Sequence, residues 1–392
     1  MEQNQPRASI IIIAYNAEKT IERAIQSARE QSEKNIEIIC VDDGSTDSTY
    51  ERMCQYAEQD ERIKPVTQAN SGILGARYSG LQQVTSDYVL LLDSDDTLIP
   101  EAVETACDAA DEIGADVLEF GVETVANPYN PPPEGAMDTY NQYFSQERPL
   151  PETARGVTLI NACFEEHIIK WNLWNKLYRT ELLREAVQYY RGEWLCIAED
   201  QLIILLVLFS AKRYARITTK LYVYTIGGGM TTMGERFTDS TAIKRWGTQW
   251  LALTLARNWL EKRGCTQEEI TVATAAFARY IRETVVSGFL DRCAPDRRAE
   301  FFDWLSQSCT REEFVDFLFE CVERQQTLLE QSAQENRQLS ESVEQARAQV
   351  EKLEMQNYAL RESFDTISNA FFWKITKPVR ALLDCVKAFF VK

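Results

Sequence analysis

Two hydrophobic periods alternate over residues 8–120. Short apolar runs, SIIIIA (9–14), IEIICV (36–41), IKPVT (63–67), YVLLL (88–92) and DVLEF (116–120), have the length and β-branched content of buried strands. The segments between them, AEKTIERAIQSAREQS, DSTYERMCQYAEQD, GILGARYSGLQQV and TLIPEAVETACDAADEIG, carry the three-and-four spacing of helices. Such alternation with short connections predicts βαβ units and a mostly parallel sheet covered on both faces. In sheets of this kind ligands bind beyond the carboxyl ends of the strands. Three polar clusters fall there: AYN after the first strand, DDGSTD after the second and DSDD after the fourth. Their coincidence predicts one shared site.

Beyond residue 120 the pattern loosens. Residues 127–151 are proline-rich and read as a loop excursion. A mixed stretch follows to about 235, with one strand-like run, KLYVYTI (220–226), and a glycine-rich GGGMTT after it. Residues 236–321 read as largely helical. From Val322 to Ile367, positions alternating by three and four form a seam that includes Leu329, Leu339, Val343, Val350, Leu353, Leu360 and Phe364. Asn336 and Asn357 fall at a positions and leucines at d, the pattern of a parallel dimeric coiled coil; a long helix packed on its own domain is the plainer alternative. The expected division is a first domain at 1–235, a helical region at 236–321, a coiled coil at 322–368 and a tail at 369–392.

The tail reverses the charge of the chain. Formal net charge is −18, yet FFWKITKPVRALLDCVKAFFVK carries five Lys/Arg against one Asp. Val379, Leu382, Leu383, Val386, Phe389 and Phe390 recur at helical spacing, which suits a helix lying on an anionic membrane surface, or one docked on the protein body. The overall acidity argues against a nucleic-acid partner. Ten scattered cysteines without a CxxC suit a reducing cytosol. The N-terminus lacks the pattern of a leader, and the longest apolar run, LIILLVLF, is far short of the ~20 residues a spanning helix needs. The expected location is therefore cytoplasmic, peripheral on the inner face of the membrane. One histidine, His167, rules out a multi-histidine zinc site and leaves acid–base work to carboxylates.

Three aspartates within four positions, Asp93, Asp95 and Asp96, repel one another unless a cation lies among them. A hard cation such as Mg²⁺ or Mn²⁺ is often held by one or two carboxylates plus substrate phosphates. A solvated turn capping the next helix is the plainer reading. The second acidic cluster at a neighbouring strand end tips the balance towards a site.

SIIIIAYNAEKTIERAIQSAREQS, IEIICVDDGSTDST, QANSGILGARYSG and SDYVLLLDSDD together resemble the family 2 glycosyltransferases of the GT-A fold, in that family's order and spacing. A second block, WNLWNKLYRTELL followed by AEDQLI and YVYTI, resembles the acceptor half of bacterial members that build surface polysaccharides. The resemblance implies an α/β fold whose residues 8–120 bind a nucleotide sugar and whose residues 121–235 face the acceptor. It implies that Tyr15, with Asn16, lies against the base of a UDP-sugar. It implies that Asp43, or its neighbour Asp42, accepts from the uracil imide and that Arg77 stabilises the diphosphate. Asp93 then helps hold the ribose or sugar, and Asp95 or Asp96, with Asp93 beside them, binds Mn²⁺ or Mg²⁺. Asp200 matches the family's catalytic base, with Glu199 supporting it, although an acid pair at a helix start is also favoured by the dipole. Lys176 and Trp174 are candidates to touch donor phosphates or acceptor. This chain departs from the pattern at Ala14, where proline is frequent, and at Tyr78, where asparagine is common.

The implied reaction is inverting transfer to a hydroxyl of a glycan, lipid-linked if the tail is a membrane helix. A nucleotidyltransferase needs a glycine-rich, basic start at the first strand, which SIIIIAYNAEKT lacks. A coiled-coil scaffold carrying a degenerate transferase domain is the non-enzymatic alternative. Specificity is expected to sit in loops 127–151 and 227–235.

Overall fold

The computed structural model describes residues 5–390 apart from 129, 146–148, 151–152 and 228–238; of residue 308 and most residues from 367 on it describes the backbone alone. Its centre is an eight-stranded sheet of β1 (Ala8–Ala14), β2 (Ile36–Asp42), β3 (Ile63–Thr67), β4 (Tyr88–Asp93), β5 (Thr97–Leu98), β6 (Val117–Ala126), β7 (Lys176–Arg179) and β8 (Tyr214–Ile226), in the order β3-β2-β1-β4-β7-β6-β8-β5. The first four positions in that order are parallel, as the alternation predicts. Strand β7 then runs antiparallel to both neighbours, β6 and β8 are parallel, and β5 closes the edge antiparallel to β8.

Strands β1, β2 and β4 are buried on both faces, which is why they read as unbroken apolar runs. Ile10, Ile11 and Ile12 are almost fully buried, each worth roughly 1.5–3 kcal/mol of transfer free energy. The run LIILLVLF lies within the helix Glu199–Ser210, buried from Glu199 through Leu208, so it is a core helix.

The excursion at 127–151 differs from the expected loop, because Ala136–Ser145 is helical. Its Tyr140 and Phe144 rest against Tyr224, at ring-centroid distances of 5.7 and 6.0 Å, and Phe144 meets Trp174 at 5.5 Å. Most of the GGGMTT stretch, and with it the loop at 227–235, lies outside the described residues.

Residues up to Glu320 form one unit, in which the helical region packs directly on the sheet domain. Phe277 of the helix Gln267–Ser287 meets Phe164 at 4.9 Å, and Thr248 of the helix Ser240–Lys262 exchanges hydrogen bonds with the backbone of Ile197. Residues 321–392 are a second unit, in which the helix Arg311–Phe390 continues. Along it Val322, Leu329, Leu339, Val350 and Leu360 are exposed. The side chains of Val379, Leu382, Leu383, Val386, Phe389 and Phe390 lie outside the described residues, so the expected apolar face of the tail does too. Among the described residues, no helix is long and apolar enough to cross a membrane.

Candidate active site

Parallel register brings the three polar clusters to one edge, since Ala14 pairs with Asp42 and Ile13 with Asp93. Tyr15 follows β1 with its ring half exposed. Asn16 adopts φ +51°; its side-chain oxygen accepts from the Thr46 amide at 2.8 Å, and its own amide donates to Ser45 Oγ at 2.9 Å. These bonds lash the exit of β1 to DDGST. Gly44 has φ +77°, and a Cβ there would stand 2.8 Å from the Asn70 nitrogen, so the turn requires glycine.

The two acids of this turn do different work. Asp43 accepts from the Gln68 amide nitrogen at 2.7 Å and from the backbone amides of Ser71 and Gly72 at 2.9 Å each. It therefore fixes the start of the helix Gly72–Gln83. Among the described residues Asp42 accepts from the Ser45 amide at 3.2 Å and the Thr67 hydroxyl at 3.0 Å, which leaves it more spare acceptor capacity.

In DSDD, the Asp96 amide donates to the Asp93 carbonyl at 3.1 Å and closes a turn. Asp96 points inward, 1% exposed, and its carboxylate accepts from the Tyr222 hydroxyl at 2.8 Å and the Thr225 amide at 2.6 Å. The sequence places Asp96 among the metal ligands; the structure makes it a strut that ties the turn to β8. Asp95 differs, because its carboxylate accepts no side-chain hydrogen bond among the described residues, while Arg23 donates to its carbonyl at 2.6 Å. Burial raises the Asp95 pKa. It pushes Asp93 up to about 7, with Asp95 and Asp200 adding to the effect and Arg77 opposing it.

Arg77, on the helix Gly72–Gln83, reaches across the same edge. Its guanidinium bonds Asp200, lies 3.4 Å from Glu199 and stands 3.8 Å from Asp93. Glu199 and Asp200 open the helix Glu199–Ser210, where the dipole favours negative charge. The preceding residue, Ala198, is held at φ +72°, a left-handed conformation that costs an alanine on the order of 1 kcal/mol. Burial, and then the Asp200 charge, raises the Glu199 pKa. One guanidinium thus faces three carboxylates, and the cluster has room for further positive charge.

Lys176 is not part of this cluster. It is fully buried, and its ammonium donates to the carbonyls of Lys170 at 2.8 Å and Asn172 at 2.7 Å and to Asn175 Oδ1 at 2.9 Å. All three protons are committed to these oxygens, where the sequence expects a contact with donor phosphates or acceptor. Trp174 is likewise buried, stacked between Tyr222 at 4.5 Å and Tyr224 at 4.9 Å. His167 has φ +53° and lies edge-on to Tyr280, in a structural setting. Tyr78, at the position where asparagine is common, packs on Tyr190 at 5.0 Å.

Among the described residues no three His, Cys, Asp or Glu side chains form a complete metal cage. Asp93 and Asp95 are the two that fit: hard oxygen donors, the Asp93 side chain 31% exposed, in a locally acidic turn. That set suits a cation that completes its coordination with phosphate and water.

Residues 9–155 match the family model "Glycosyl transferase family 2". Among curated proteins, the putative glycosyltransferase EpsH of Bacillus subtilis (strain 168) is 30% identical over 224 residues, covering 56% of this chain and 61% of that protein. The poly(ribitol-phosphate) beta-N-acetylglucosaminyltransferase TarS of Staphylococcus aureus (strain Mu50) is 31% identical over 219 residues, covering 55% of this chain and 35% of TarS. The chain thus spans less than two thirds of the length of these relatives. The crystal structure of S. aureus TarS 1-349 superposes with a TM-score of 0.54 at 21% identity, over 79% of this chain and 80% of that one. The same fragment in complex with UDP-GlcNAc also gives 0.54, at 20% identity, over 77% and 80%. Motif order, sheet architecture and these likenesses agree: residues 9–155 match the glycosyl transferase family 2 model, and the chain shares the GT-A-like fold of the TarS fragment.

Proposed function

We propose that the protein is an inverting, metal-dependent glycosyltransferase that moves a sugar from a UDP-sugar to a hydroxyl of a glycan. The observation that carries this reading is the cluster of Arg77 with Asp93, Glu199 and Asp200 at the carboxyl edge of the sheet, next to Asp95. The bound UDP-GlcNAc of the TarS structure supports the choice of donor.

Asp200 is the base that removes the proton from the acceptor hydroxyl. As that oxygen bonds to the anomeric carbon, the bond from carbon to the diphosphate oxygen breaks on the opposite side, which inverts the centre. The negative charge passes to the diphosphate, where Arg77 stabilises it. Glu199, which accepts from the same Arg77 guanidinium at 3.4 Å, supports Asp200 from the adjoining position at the helix start. Tyr15 and Asn16 face the nucleoside, and Asp42, with its spare acceptor capacity, takes the uracil imide in preference to Asp43. Asp93 and Asp95 would hold a Mn²⁺ or Mg²⁺ ion, whose contribution when bound is to neutralise charge on the leaving diphosphate.

The exposed apolar seam from Val322 to Phe364 supports a parallel homodimer formed by the second unit. The basic tail supports contact with an anionic membrane surface, and with it a lipid-linked acceptor at the cytoplasmic face.

The test is UDP release from a panel of UDP-sugars, with Mn²⁺ or Mg²⁺ against EDTA, for wild type and Asp200→Asn. Turnover of one donor, abolished by EDTA and lost in Asp200→Asn, is the expected result. Absence of turnover and of nucleotide binding with every donor, alongside retained dimerisation, moves the protein to a transferase-like scaffold.

A further inference from the structure

Among the described Phe, Tyr and Trp side chains up to residue 310, two are exposed, Tyr15 at 48% and Trp194 at 47%. The other Phe, Tyr and Trp rings described in that stretch are at least partly packed away, as hydrophobic transfer dictates. Tyr15 has a reason to stand bare at a strand end. Trp194 lies 179 positions later, on the connection between the helices Thr180–Val187 and Glu199–Ser210, and the family resemblance gives it no role.

The fold brings Trp194 to the same strand ends as Tyr15. Its indole rests against Gly72, where a Cβ would lie 3.4 Å from Trp194 Cδ1 and Nε1, and where φ is +79°. The Gly72 amide is held by the Asp43 carboxylate at 2.9 Å, and Asp43 directly follows β2. The last residue pair of β1 and β2 sets Ala14 beside Asp42, and Tyr15 comes next in the chain. The loop that presents the indole is fixed at both ends. Tyr190 packs on Tyr78 and shares a hydrogen bond with Ser71, while the Ile197 amide donates to Thr248 Oγ at 3.0 Å. A rigidly presented aromatic loses little freedom on binding a flat ligand.

We infer that Trp194 is a second aromatic surface, beside Tyr15, on which the base of the nucleoside diphosphate donor stacks. The inference rests on the donor reading above. Trp194 is assigned to the base because its neighbours are Gly72 and the Asp43 turn, the nucleoside end of the site. Base–aromatic stacking tolerates Tyr, Trp or Phe alike, since each offers a π-face.

The experiment titrates UDP, with Mn²⁺ present, into the full chain as wild type, Trp194→Phe and Trp194→Ala, following both heat and tryptophan emission. Stacking on indole quenches its emission, so wild type loses fluorescence on binding. Trp194→Phe is expected to bind within about threefold of wild type but without that quench. Trp194→Ala is expected to bind about tenfold more weakly, and pyrophosphate, which has no base, is expected to bind all three proteins equally. UDP affinity in Trp194→Ala equal to wild type overturns the inference, and a raised KM for acceptor in the same variant moves Trp194 to the acceptor side. Failure of wild type to bind UDP overturns the donor reading as well.

Discussion

Two buried ionic clusters lie in the sheet domain, and they are built on opposite principles. Around Glu119, which is 3% exposed, Arg216 donates from Nε at 2.8 Å, Tyr214 donates its hydroxyl at 2.7 Å, and Lys176 stands 3.8 Å away. Cations outnumber the acid there, and the Lys176 ammonium is saturated by oxygen acceptors. Around Arg77 the ratio is inverted, with three carboxylates on one guanidinium and Asp93 still partly open to solvent. The first cluster is a strut between β6, β7 and β8. The second is short of positive charge, and its Asp93 is the member that solvent reaches. A buried ion pair is weak evidence for function; an unbalanced one at a strand end is much stronger.

Breaking the Arg77 cluster costs activity rather than fold. Asp200→Asn is expected to lower kcat on the order of 10³-fold while UDP affinity stays near wild type, as read by UDP release and calorimetry. Breaking the Glu119 cluster does the reverse. Glu119→Gln leaves two cations facing a neutral amide, and a loss of about 3 kcal/mol is expected in urea unfolding, with UDP affinity unchanged. A loss of UDP binding by a folded Glu119→Gln or Lys176→Met variant would instead merge the two clusters into one site.

The comparison sharpens with pH. Burial lowers the Lys176 pKa to about 8, below its unfolded value near 10.5. Between those values the unfolded chain binds the extra proton, so this lysine adds stability as pH rises from 8 to 10. Wild type should therefore gain about 2 kcal/mol on Lys176→Met over that range, measured as the difference between their unfolding free energies. A flat difference would show that the ammonium stays charged. The smallest effect belongs to Tyr222→Phe. Its hydroxyl accepts from the Asp93 amide at 3.2 Å and donates to Asp96, so its loss loosens the acidic turn. About tenfold weaker Mn²⁺ binding in the presence of UDP is expected, with Trp174 still stacked on the ring.

The parallel half of the sheet was legible because strands buried on both faces leave an unbroken apolar signature. The antiparallel half was not. Strand β7 has four residues and sits inside a motif that reads as chemistry, and β5 has two. Strand β8 begins six residues before the run KLYVYTI, in a half-exposed stretch with little pattern. The helix Ala136–Ser145 is hidden among prolines and has no fully buried residue, since what holds it is the edge-to-face contact of Phe144 with Trp174 and Tyr224. Motif reading named Arg77, Glu199 and Asp200 one by one, and folding across more than 120 positions makes them a unit. Lys176 and Asp96 entered the same set, and the hydrogen bonds that occupy them are visible only once the chain is folded.

On the donor reading proposed above, the surplus of carboxylates also sets how fast that donor arrives. A UDP-sugar brings about two negative charges, and free UDP about three, to a protein with a formal charge of −18, so the encounter is slowed by repulsion at low ionic strength. Added salt screens that field within about 10 Å at 0.1 M and should raise the association rate, contrary to the usual behaviour of a site that captures anions with a basic surface. Stopped-flow binding of UDP at 10 and 200 mM salt, with the divalent cation held constant, reads that sign directly.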